Sequence, residues 1–129
     1  MDLPEDLKYT REHEWARREG NRIIVGITDY AQRELGDVVY VDLPPLGRTL
    51  SPGESFGVVE SVKTVSDLYA PVGGKVVARN EELVQKPELV NSSPYGEGWM
   101  IVLELNRPEE WDGLLDDRSY RALVEGQGN

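Results

Sequence analysis

A chain of 129 residues, 39% hydrophobic and 29% charged with a formal net charge of −10, suits one soluble domain over residues 1–129 with a modest core. The acidic balance argues against nucleic-acid and anionic-lipid partners, which need a basic face, and no apolar run approaches the roughly 18 residues of a membrane span. With no cysteine and a single histidine, His13, the chain has no means of forming disulfides, thiol nucleophiles, thiolate zinc sites or multi-histidine metal sites, and no metal ligands are assigned.

The N-terminal "MDLPEDLKYT" has neither a basic region nor an apolar segment, so no secretory signal is visible. Strand composition begins with "EWARRE" (14–19) and "NRIIVGIT" (21–28), joined across Gly20-Asn21, a pair suited to hairpin turns. Thr28 or Asp29 can cap a short helix, "DYAQREL", which Gly36 ends at its C′ position. "DVVYVDL" (37–43) is the clearest β run, and Pro44-Pro45 and Gly47 stop it. After the turn "SPGES" (51–55), strands are expected over "FGVVESV" (56–62), "TVSDLYA" (64–70) and "KVVARN" (75–80). A short helical or irregular piece, "EELVQKPELVN", and the breaker cluster "SSPYGEG" precede the last strand, "WMIVLEL" (99–105). Pro108 opens a helix-compatible tail with Trp111, Leu114, Leu115, Tyr120, Leu123 and Val124 spaced to face a core. Short strands with Gly/Pro turns every eight to twelve residues describe a mainly β sandwich or barrel with one inserted helix and a C-terminal helical segment.

Lys63, in "VVESVKTVSD" (58–67), sits where two strands should meet. If Val62 and Lys63 form the turn, Ser61 pairs with Thr64 and the lysine projects into solvent. Strict alternation would place Phe56, Val58, Glu60 and Val62 on one face of the upstream strand. Positive charge elsewhere is usually arginine, ten against four lysines, and only the lysine can be acylated once deprotonated.

The run "ESVKTVSDLYAPVGGKV" resembles the lipoyl-attachment hairpin of the glycine cleavage system H protein family. "YTREHEW" (9–15), "VGITDYAQRELGDVVYVDLP" (25–44), "GESFGVVESVKTVSD" (53–67), "APVGGKV" (70–76) and "PELVNSSPYGEGWM" (87–100) extend the resemblance, in order, over nearly the whole chain. Biotin-carrying hairpins usually flank the lysine with methionine, and lipoyl domains of 2-oxoacid dehydrogenases often show D-K-A. Val62 and Thr64 fit neither.

The resemblance implies a lipoyl/biotinyl-carrier-like barrel-sandwich hybrid with lipoate held covalently on Lys63. It implies a carrier in glycine catabolism and one-carbon metabolism with no turnover of its own. The carrier takes an aminomethyl group from a pyridoxal-phosphate glycine decarboxylase to a tetrahydrofolate-dependent aminomethyltransferase, and a flavin dihydrolipoyl dehydrogenase then reoxidises the arm. A lipoyl-attaching enzyme is the fourth partner, with Glu60 and Ser61 expected to help it recognise the hairpin. Edge-strand polarity is the alternative for both residues. The loaded arm ends in a cationic amine, which a carboxylate-lined cleft would hold. Glu14 and Asp67 match the family's acidic cleft positions. The alternatives are a solvated strand residue for Glu14 and a solubilising charge for Asp67. Glu12 stands where related sequences commonly have serine, which removes a hydroxyl and adds charge. His13 reads as a satisfied surface or cleft residue, the tryptophans as core or cover, and "SPYGEG" as a structural turn. Two other functions use the same fold: a lipoyl relay to 2-oxoacid dehydrogenase complexes, and an unmodified lipoyl-like binding module. A bacterial cytoplasm is the expected location, with the mitochondrial matrix as the alternative for a processed form.

Overall fold

The computed structural model describes residues 1–127; residues 128 and 129 of the expected domain lie outside the described residues. Two antiparallel sheets face each other. The larger joins six strands in the order β1 (Lys8–Tyr9), β2 (Glu14–Glu19), β3 (Arg22–Ile27), β9 (Ile101–Leu105), β8 (Gly74–Arg79) and β5 (Thr49–Leu50). The smaller joins β4 (Val38–Asp42), β6 (Ser55–Ser61) and β7 (Val65–Tyr69). Short helices α1 (Asp29–Leu35), α2 (Glu82–Gln85), α3 (Leu89–Ser92) and α4 (Glu109–Asp112) and the longer α5 (Asp117–Gln127) surround them. This is the expected barrel-sandwich hybrid, with its inserted helix and helical tail.

Ile23, Val25, Val41, Phe56, Val59, Leu68, Ile101 and Leu103 fill the space between the sheets. The strand β3 is buried along almost its whole length because both its faces are covered. Its second face, through Ile24, joins Leu3, Leu7, Tyr9, Trp15, Tyr120 and Val124 in an outer cluster. The apolar spacing of the tail is thereby spent on the outside of the larger sheet, Tyr9 and Tyr120 stacking at 4.8 Å. Trp15 is fully buried, donates Nε1–H to Pro94 O at 2.9 Å, and lies where a Cβ on Gly26 would stand 2.6 Å from that nitrogen. "SPYGEG" has a structural role, with Tyr95 Oη accepting from Asp29 N and donating to Asp2 O.

The strict alternation expected of β6 fails at its start. Ser55 faces Tyr69 and Gly57 faces Leu68, so Phe56 is an extra residue, a β-bulge. The bulge shifts the phase, and Phe56 and Val59 are the buried apolar residues while Val58 is half-buried. Gly57 permits this, since a Cβ there would meet Asp42 O at 2.1 Å. A second irregularity in β4, between Val38 and Tyr40, leaves both Val39 and Tyr40 exposed. Among the described residues no helix is long and apolar enough to cross a membrane.

Candidate functional site

Beyond the bulge, β6 and β7 run in regular register through Val58–Asp67, Val59–Ser66 and Glu60–Val65, and Val62 and Lys63 occupy the two central turn positions. Ser61 N donates to Thr64 O at 2.8 Å. The Ser61 hydroxyl accepts from the backbone N–H groups of Lys63 and Thr64 at 3.3 and 3.1 Å and donates to Thr64 O at 3.3 Å. A further bond, Val62 N to Asp37 O at 3.0 Å, ties the tip to the start of β4. The side chain of Ser61 is therefore buried and engaged inside the turn, where its hydroxyl fixes the shape of the tip. Glu60 is half-buried and stands between Tyr40 and Val65 across the three strands.

Lys63 is exposed and belongs to no ion pair among the described residues. Its stem passes the end of α1, where Cε lies 3.5 Å from the place a Cβ would take on Gly36. Gly36 has φ +79° and donates its N–H to Gln32 O, so this residue both ends the helix and leaves room beside the lysine. Thr28 caps the other end of α1, its hydroxyl accepting from Ala31 N at 3.2 Å.

Between α1, the strands of the hairpin and the turn preceding β2 lies a cleft of about 240 Å³. Glu12, His13, Glu14, Tyr30, Glu34 and Asp67 contribute its polar lining. Asp67 and Glu12 are exposed and bring carboxyl groups to its rim. Glu14 is not a solvated strand residue. It is 1% exposed, its Oε1 accepts the Thr10 hydroxyl hydrogen at 2.7 Å, and its Oε2 accepts Tyr69 N–H at 3.2 Å. Burial pushes its pKa up to about 8, against the opposing pull of the Thr10 and Tyr69 hydrogen bonds. Burial thus favours the protonated form of this carboxyl, and a cation arriving in the cleft favours its ionised form.

His13 is a satisfied cleft residue. It has φ +73°, alone among the described non-glycine residues in that region, and is held by His13 N to Thr10 O and Thr28 N to His13 O bonds of 3.1 and 3.0 Å. Its ring packs against Tyr30 and Tyr120, and Nδ1 lies 2.8 Å from Tyr120 Oη. Burial lowers its pKa, although Glu12 and Glu34 pull the other way.

The structure thus places Lys63 and Asp67 on one hairpin, brings Asp67 and Glu14 to one cleft, and sets Glu60 and Ser61 at the base of the tip. Sequence reasoning missed Tyr30 and Glu34. Their four-residue spacing on a seven-residue helix, which sets both on one face, was the available signal. Tyr120 carried none, because its hydroxyl meets His13 across 107 positions. Among the described residues no cluster of three His, Asp or Glu is arranged to hold a metal ion.

Comparison with known proteins places these features in a lineage. The family described as glycine cleavage H-protein matches residues 7–127. A glycine cleavage system H protein of Anaeromyxobacter sp. (strain K) is 58% identical over 127 residues, covering 98% of this chain and 99% of the relative. That of Symbiobacterium thermophilum is 60% identical over 124 residues, covering 96% and 97%. The crystal structure of a glycine cleavage system H protein from Mycobacterium marinum superposes with a TM-score of 0.85 at 39% identity, covering 95% of this chain and 99% of that one.

Proposed function

The chain belongs to the glycine cleavage H-protein family, the lipoylated carrier of the glycine cleavage system, and we propose that Lys63 is the residue on which it carries lipoate. The observation that carries this is the placement of a lysine, exposed and in no ion pair among the described residues, at the tip of a hydrogen-bonded two-residue turn, with its stem beside Gly36 at the end of α1, the helix whose Tyr30, Glu34 and Leu35 line the cleft. The site suits the group. An amide on Lys63 removes the ammonium charge and breaks no ion pair among the described residues. Lysyl-lipoyl geometry gives an arm on the order of 10–15 Å, long enough to lie along the cleft or to leave it. Bound lipoate supplies a dithiol redox and group-carrying centre that a cysteine-free chain lacks.

The chain's own residues then supply position and charge. Ser61 and Thr64 fix the base of the arm. Asp67, Glu12 and the ionisable Glu14 favour a cationic cargo in the cleft, and the apolar sides contributed by Ile27, Leu35 and Leu68 limit water there. Val62, Val65 and Tyr40 are exposed around Glu60 and offer an apolar contact to the lipoyl-attaching enzyme, which must reach the lysine nitrogen itself. The partners in this reading are the glycine decarboxylase, the aminomethyltransferase, the dihydrolipoyl dehydrogenase and that attaching enzyme. The chain is a single carrier domain over 1–129, catalyses nothing alone, and works in a bacterial cytoplasm, in keeping with its bacterial relatives. Lys63→Arg tests the assignment. The variant folds as the parent does and loses the glycine–bicarbonate exchange supported with the decarboxylase, and retained exchange refutes it.

A further inference from the structure

His13 combines three properties found together nowhere else among the described residues: a left-handed backbone, a place on the cleft wall, and a ring nitrogen engaged by a buried hydroxyl from the far end of the chain. The order of hydrogens in that contact follows from the groups present. Thr28 is fully buried, and its Oγ1 accepts from Ala31 N at 3.2 Å and lies 2.8 Å from Tyr120 Oη. Its own hydrogen has no acceptor other than Tyr120 Oη among the described residues, so Thr28 donates to Tyr120. The tyrosine then has one hydrogen left and gives it to His13 Nδ1 at 2.8 Å. An imidazole that accepts at Nδ1 and is neutral carries its hydrogen on Nε2.

We propose that Tyr120 is a positioning residue for the cleft: through the chain Thr28–Tyr120–His13 it holds His13 as the neutral Nε2–H tautomer, occupying the ring's one lone pair so that the wall carries neither a base nor a cation. The consequence for a cationic amine is direct. A free ring lone pair would offer the amine's proton an acceptor in competition with Asp67 and Glu12, and an imidazolium would repel the amine outright. Every charged or titratable group facing the ring agrees with this arrangement or is countered by it. Glu12 on the preceding turn and Glu34 of α1 favour protonation, Tyr30 of α1 and Tyr120 of α5 are neutral, and burial opposes the charge. The left-handed backbone at His13, pinned by Thr10 and Thr28, sets the ring against Tyr120 and explains why a strained conformation sits here. The part concerning cargo rests on the carrier reading above. The tautomer does not.

Because His13 is the only histidine, its two ring nitrogens give one unambiguous set of ¹⁵N resonances in the full-length chain. The wild type shows the Nε2–H pattern at neutral pH. In Tyr120→Phe, losing one hydrogen bond of ordinary net strength shifts the tautomer ratio by roughly fivefold. The ring resonances move toward their exchange average, and the His13 titration midpoint rises. An Nδ1–H pattern in the wild type overturns the proposal without any variant, so a poorly folded Tyr120→Phe cannot shield it. A folded Tyr120→Phe with unchanged ring resonances also overturns it. On the lipoylated, aminomethyl-loaded chain, Tyr120→Phe loses cargo several-fold faster than the wild type. An unchanged lifetime despite a shifted tautomer overturns the role toward cargo and leaves the carrier assignment standing. A wild-type chain that never accepts lipoate at Lys63 sinks the carrier reading and leaves the tautomer assignment standing.

Discussion

Two short turns, the hairpin tip and the turn before β2, are built in opposite ways. The Lys63 tip is local. Within four consecutive residues, Ser61 to Thr64 supply most of its hydrogen bonds, and both Val62 and Lys63 face solvent. The Thr10–Glu14 turn is held from afar, by Thr28, Tyr69 and Tyr120, and it buries a carboxyl and half-buries an imidazole. In the carrier reading the segment handled by other proteins stays exposed, and of its bonds Val62 N–H to Asp37 O reaches outside it. A segment that tunes charge needs burial, and burial has to come from the rest of the fold.

That contrast predicts where substitutions hurt. Trp15→Ala, beside Glu14 on the buried side, is expected to cost about 3–5 kcal/mol in chemical denaturation, through lost burial and the cavity over Gly26. An effect below about 1 kcal/mol would mean that the wall is not supported as described.

Glu14→Gln changes how stability depends on pH. The folded-state pKa of Glu14 is raised from 4.5 to about 8, so the folded protein holds a proton that the unfolded chain has released. Stability from this group is complete below about pH 4.5 and falls as pH rises toward 8, by an amount on the order of a few kcal/mol. The glutamine variant lacks that decline. Parallel stability–pH curves for the two proteins would contradict it.

Ser61→Ala, at the local turn, removes a hydroxyl that accepts two backbone N–H groups and should cost about 1 kcal/mol. It also loosens the tip, read as faster amide exchange at Lys63 and Thr64. Smallest of all, Asp67→Asn changes stability by less than about 0.5 kcal/mol, because the side chain is exposed, yet it shortens the lifetime of a cationic cargo. Equal lifetimes would remove Asp67 from the cleft's function.

The same contrast explains what the amino-acid sequence disclosed. Strand composition on both sides of Lys63 and the Ser61–Thr64 pairing are nearest-neighbour information, and the turn was legible down to the two residues at its tip. So were β2, over 14–19, and the helix that Thr28 caps and Gly36 ends. The bulge at Phe56 was hidden, because it depends on Gly57 passing close to Asp42 of another strand. Glu14 could be named as a cleft carboxylate by resemblance, but its burial could not, since Tyr69 N–H reaches it from 55 residues away. Tyr120 looked like one more apolar position of the tail, and only the docking of α5 reveals what its hydroxyl touches.

Mass analysis of the chain after coexpression with a lipoyl-attaching enzyme tests the central claim most directly. Intact mass should rise by one lipoyl group, and fragmentation should place it on Lys63, leaving Lys8, Lys75 and Lys86 unmodified. No lipoyl increment, or one that maps to another lysine, contradicts the account.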